Sequence, residues 1–118
     1  MIYEKNYDGH EILFWPICSV RTLWTASDNF LFIDGKLAAR SGGACFHSHA
    51  KATLRHDDIE VTVEMRTKTS LQGLIHIDYE LLIGEESVDS GTLRMSFMWK
   101  IPQNIEQAAA QRRDKPRA

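Results

Sequence analysis

Residues 59–66 read Ile59-Glu60-Val61-Thr62-Val63-Glu64-Met65-Arg66, apolar at every odd position and polar at every even one. An extended chain sends successive side chains to opposite faces, so a period of two marks a strand with one face in a core and one in water. The same period runs through 74–83, where Ile75, Ile77, Tyr79, Leu81 and Ile83 alternate with a set that includes His76, Asp78 and Glu80. It recurs in 93–101, where Leu93, Met95, Phe97, Trp99 and Ile101 interleave with Arg94, Ser96, Met98 and Lys100 before Pro102 stops the run. Three half-buried strands follow from alternation alone.

Working outward, turn chemistry supplies the neighbours. Asp34-Gly35 separates Phe30-Leu31-Phe32-Ile33 from Lys36-Leu37-Ala38-Ala39, the signature of a two-residue hairpin. Because 30–33 is apolar on both faces, it reads as a central strand covered on both sides. Gly42-Gly43 breaks the chain before a long strand over 44–55, and His56-Asp57-Asp58 turns it into the 59–66 strand. A loop over 67–73, a strand over 20–25 and a weaker one over 12–15 complete the set. Seven or eight short strands at this spacing predict an all-β fold, an antiparallel β-sandwich or small barrel. No repeat of fixed period appears.

Composition then bounds what the chain is. At 118 residues, 43% hydrophobic and 25% charged, it is sized and composed for one globular domain. The strands occupy 1–102. Residues 103–118 shift to a basic composition, with Asn104 placed to cap a helix over 105–113 and only Ile105 and a few alanines to pack. That segment reads as a partly helical or disordered tail. A net charge of −2 argues against nucleic acid or an anionic membrane as partner, and the Arg112-Arg113-Asp114-Lys115 cluster reads as a solubilising terminus. The longest apolar stretch, 12–18, contains Pro16 and falls short of the roughly 20 residues a membrane helix needs. Cys18 and Cys45 fit no CxxC pattern, and no secretory signal precedes them, so two reduced thiols and a cytoplasmic location are expected.

Chemistry concentrates on one polar surface. Along 44–55, Cys45, His47, His49, Lys51, Thr53 and Arg55 share a face. Thiolate and imidazole are good ligands for zinc, copper or nickel, and alternate strand residues stand about 6.5–7 Å apart. If Leu54 pairs with Ile59 across a four-residue loop, His49 faces Glu64, Lys51 faces Thr62 and His47 faces Arg66. Glu64 then completes a metal set with His47, His49 and Cys45, although the Arg66 cation opposes it. The plainer reading is a solvated face of His–Glu and Lys–Glu pairs. His76, Asp78 and Glu80 continue that face on the next strand. They lack the nucleophile elbow or companion motif that a catalytic assignment requires. No glycine-rich phosphate loop or other cofactor motif is present. Trp15, Trp24 and Trp99 read as core aromatics.

The order of a Phe32-Ile33-Asp34-Gly35-Lys36 strand-turn, a strand holding Phe46, and a strand pair ending Tyr79-Glu80-Leu81-Leu82-Ile83-Gly84 resembles one domain of the Fas apoptotic inhibitory molecule family. The resemblance covers 30–93. It departs from the family at Gly84-Glu85-Glu86, where a second Asp-Gly-Lys turn is absent. It implies a compact antiparallel sandwich acting as a non-enzymatic interaction module, and it carries over no catalytic residue. The expectation is therefore a binding module without a cofactor. Its partner is a protein or small-molecule ligand held on the face of His47, His49, Lys51, Glu64, His76 and Asp78, and self-association is compatible with it. The alternative is a metal-binding protein or metal-dependent hydrolase centred on His47 and His49.

Overall fold

The computed structural model describes residues 2–20, 25–43, 47–56, 58–69 and 76–114. Among them are nine strands and one helix: β1 (Tyr3–Tyr7), β2 (His10–Val20), β3 (Thr25–Ile33), β4 (Lys36–Gly43), β5 (His47–His56), β6 (Ile59–Thr69), β7 (His76–Ile83), β8 (Glu86–Arg94), β9 (Ser96–Met98) and α1 (Ile105–Asp114). They build a sandwich, not a closed barrel. One sheet runs β1-β2-β3-β4 with β9 added beside β2, and the other runs β5-β6-β7-β8. All neighbours are antiparallel except β9, which runs parallel to β2.

The inner faces meet as the alternation requires. Ile12, Phe14 and Leu31 of the five-stranded sheet pack with Ala50, Leu54, Val63, Met65, Ile77 and Leu81 of the four-stranded sheet. The 30–33 segment is central, as its two apolar faces demand. Leu31 points into the sandwich, whereas Phe30 and Phe32 join Leu13, Trp15 and Ile17 on the outer face, under Ile105 and Ala109 of α1.

The helix begins where the cap places it, with the Gln107 amide donating to Asn104 Oδ1 at 3.1 Å. It is more firmly attached than a frayed tail. Ile105 and Ala109 are 8% and 1% exposed, the Leu37 amide donates to Glu106 Oε2 at 2.8 Å, and Arg112 lies 5.2 Å from the Trp15 ring centroid. The small alanines let the helix sit close, while the sheet beneath supplies the large apolar groups.

Four other expectations change. Strand β2 continues through Pro16, which sits between the β1 pairing that ends at Phe14 and the β9 pairing that starts at Ile17. A missing N–H is tolerable at such an interruption. Val20 closes β2 opposite Thr25, the first residue of β3, so the two ends of the expected 20–25 strand belong to different strands; 21–24 lie outside the described residues. The 93–101 run is broken at Met95, where the chain leaves β8 of one sheet for β9 of the other. The alternation loses its phase at this crossing: Met95 and Ser96 are both buried, while Phe97 and Trp99 are 55% and 85% exposed. Trp15 is a core aromatic as expected, Trp99 is not, and Trp24 lies outside the described residues. Strand β1, finally, has no apolar alternation of its own and is set by the Asp8-Gly9 turn, where both residues have positive φ.

The two sheets repeat one plan that the sequence does not display. Tyr7 pairs with His10 and His56 with Ile59, so two residues close each first hairpin, and β2 and β6 each then run for 11 residues. Ile33 pairs with Lys36 and Ile83 with Glu86 across the last hairpins. Each last hairpin then carries a bulge at the third residue of its second strand, leaving Ala38 and Val88 without an opposite number.

Candidate functional site

The outer face of the four-stranded sheet carries the polar residues of the alternating pattern, and its register decides which of them meet. His56 pairs with Ile59, so the β5–β6 loop holds two residues rather than four. Asp57 lies outside the described residues, and Asp58 has φ 63°, the left-handed backbone that an aspartate tolerates in such a turn. Every pair is therefore displaced by two from the expected register. Lys51 stands opposite Glu64, His49 opposite Arg66, and His47 opposite Lys68.

Glu64 nevertheless meets His49 on the diagonal, with Nδ1 3.0 Å from Oε2. The same oxygen accepts from Arg66 Nε at 2.8 Å, and Lys51 Nζ lies 4.0 Å from Oε1. The carboxylate side chain is only 10% exposed, whereas His49, Lys51 and Arg66 are each half exposed or more. Donation from Arg66 is the main reason the Glu64 carboxyl sits below the usual carboxylate range, with donation from His49 assisting against the opposing effect of burial. The same bond raises the Arg66 guanidinium above its ordinary value. Arg66 also reaches toward Glu80, with NH1 4.0 Å from Oε1.

The next strand extends the face. Lys68 stands opposite Asp78 and Arg66 opposite Glu80. Asp78 Oδ1 accepts from the Thr92 hydroxyl at 3.0 Å. A cavity of about 360 Å³ opens here, walled by His49, Arg66, Lys68, Asp78 and Glu80. Thr67 and Tyr79, whose side chains alternate inward, complete its lining. The arrangement provides a cationic wall on β6, an acidic wall on β7 and a carboxylate already satisfied from within. It can bind charged groups; among the described residues that line it, no nucleophile stands beside a base.

Of the residues singled out by sequence, the structure joins His49, Lys51 and Glu64 in one network and brings Asp78 to the same cavity. His76 is separate: it pairs with Arg94, and its Nδ1 is buried without a hydrogen-bond partner among the described residues. His47 is placed by its backbone register alone, and Cys45 lies outside the described residues. Among the described residues no three His, Cys, Asp or Glu side chains gather as a metal set. Lys68, Thr67 and Tyr79 were not marked by sequence. Lys68 lies in 67–73, a segment expected to be a loop; β6 instead runs on to Thr69 and sets Lys68 beside Asp78. No described helix is long and apolar enough to cross a membrane. The chain matches no family model, no curated protein and no solved structure.

Proposed function

We propose that this chain is a non-enzymatic protein-interaction module whose docking surface is the outer face of the four-stranded sheet. The observation that carries the reading is the cavity between the cationic wall of Arg66 and Lys68 and the acidic wall of Asp78 and Glu80. Such a surface suits an extended polypeptide carrying both charges, which exchanges water for ion pairs along two neighbouring strands. The resemblance of 30–93 to the Fas apoptotic inhibitory molecule family points the same way. The free thiol of Cys18 favours a reducing compartment, and we place the module in the cytoplasm. The metal alternative is less well supported, because Arg66 donates to the very oxygen of Glu64 that His49 approaches, and a second cation there meets direct repulsion.

The test is an amide chemical-shift titration of dilute, isotope-labelled protein with a blocked peptide of alternating Glu, Gly and Lys. Expected shifts fall on 64–68 and 78–82 and spare β2 and β3, and a Gly-Ser peptide of equal length causes none. Shifts that are absent, or that fall on the other sheet, overturn the reading.

A further inference from the structure

We infer that the partner of this face is a second copy of the chain, docked face to face about a two-fold axis that runs along the β6–β7 seam. This rests on the reading above and names its partner. Arg66 and Lys68 project from β6 as one cationic column, and Glu80 and Asp78 project from β7 as the acidic column beside it. The columns are about 4.8 Å apart, the spacing of neighbouring strands.

Two face-to-face arrangements are available to such a surface, and the charges choose between them. An axis parallel to the strands turns the second copy over and exchanges left for right. The cationic column of one copy then lies over the acidic column of the other, and symmetry repeats the match on the second pair of columns. An axis across the strands instead sets like over like, which repels at every contact. Only the first arrangement is self-complementary.

The groups required are available. Lys68 is exposed and has no ion pair among the described residues, and the Arg66 and Glu80 side chains are 50% and 43% exposed. The cavity between them leaves room for side chains of the second copy. The equivalent face of the five-stranded sheet is already closed by α1. Four strands of roughly eight residues present about 500 Å² per copy, or about 1,000 Å² in all, near the lower limit of specific interfaces. The dimer is therefore weak, reversible and salt-sensitive.

A charge-swap experiment on the full chain decides the matter. Sedimentation equilibrium of the wild type at about 20 mM salt should show a monomer–dimer equilibrium that weakens about tenfold or more at about 0.5 M. Lys68→Asp makes both columns acidic at this row, and Asp78→Lys makes both cationic. Each variant alone should be monomeric, and an equimolar mixture should recover a heterodimer. Circular dichroism checks that both fold; if one does not, Lys68→Ala and Asp78→Ala replace them, each expected to weaken the dimer about tenfold. A wild type that stays monomeric to about 1 mM overturns the inference. So does a dimer that either charge reversal leaves intact, or a mixture that fails to pair. A monomeric wild type whose β6 and β7 amides still answer the peptide overturns the dimer alone; a silent peptide titration overturns the reading beneath it.

Discussion

The outer faces of the two sheets are built on the same strand plan and end in opposite chemistries. Trp15 is the sixth residue of β2 and Glu64 the sixth of β6, each strand following a hairpin closed by two residues. Around Trp15 stand Leu13, Ile17, Phe30 and Phe32; around Glu64, on the outer face of the other sheet, stand Thr62, Arg66, Glu80 and Leu82. The inner faces do not diverge in this way, since Phe14 and Val63, the fifth residues of the same strands, are both fully buried in the shared core. What separates the two outer faces is therefore what covers them. A face of large apolar groups is stable only if something excludes water, and α1 does so. A face whose one buried carboxylate is satisfied by its neighbours stays open to water and free to bind.

The strongest way to break the comparison is to remove the cover. A chain ending at Pro102 exposes Trp15, Phe30, Phe32, Leu13 and Ile17 while the four-stranded sheet keeps all its contacts. Uncovering about 150–200 Å² of apolar surface costs roughly 4–5 kcal/mol, a large share of the stability of a domain this size. The expected result is loss of a cooperative thermal transition, or a fall of that size in denaturant unfolding. A shortened chain that melts like the parent would show that α1 contributes nothing to the five-stranded sheet.

A second change tests the half of the plan that the sheets share. Val63→Ala removes two methyl groups from a fully buried site between the sheets. The expected loss is about 1–3 kcal/mol with an unchanged denaturant slope. A change under about 0.5 kcal/mol would mean that Val63 is not in a common core, and the equivalence of the inner faces would fail with it.

How far the sequence foretells this plan depends on whether local chemistry or distant packing decides each part. The 59–66 alternation, the Asp34-Gly35 turn and the doubly apolar 30–33 strand are local statements, and the sandwich contains all three. The Asn104 cap is local too. Docking of α1 is not, because Ile105 and Ala109 supply few apolar atoms and the burial is supplied by aromatic residues on β2 and β3, far away in sequence. Trp99 misleads because alternation is continuous only within one sheet, and the chain changes sheets at Met95. Strand β1 was readable from Asp8-Gly9, the dipeptide that marks the β3–β4 hairpin, but its own residues alternate too weakly to declare a strand. At the site, the meeting of His49 and Glu64 was legible although the register was displaced by two. A long side chain reaches a diagonal neighbour almost as readily as a direct one. Lys68 was missed because the clear alternation ends at Arg66 and 67–73 reads as a loop, whereas pairing with β7 carries β6 on to Thr69.

The smallest expected effect sharpens the comparison most, because it asks what Glu64 contributes where Trp15 contributes burial. Glu64→Gln keeps the shape and removes the charge that Arg66, His49 and Lys51 surround. The Arg66, Lys51 and His49 side chains are largely exposed and regain water when the charge is lost, so the cost at neutral pH is about 1 kcal/mol. Its pH dependence identifies the cause. The Glu64 carboxyl is held below its ordinary value in the folded chain, chiefly by donation from Arg66. Between the folded and unfolded values the unfolded chain therefore binds more protons, and stability from this group rises with pH. That stability is fully present above the ordinary carboxylate value and is lost as pH falls through the folded one. Asp34 and Asp89 are lowered as well, by His10 and Tyr3 respectively, so the wild type and the variant share an acid limb from those two groups. The difference between the two proteins isolates Glu64. Measured by denaturant unfolding, that difference should be about 1 kcal/mol at neutral pH and should shrink toward zero as the pH falls through the folded value. A difference that stays constant across this window would assign the effect of Gln to packing, and the open face would then owe its stability to shape rather than to charge.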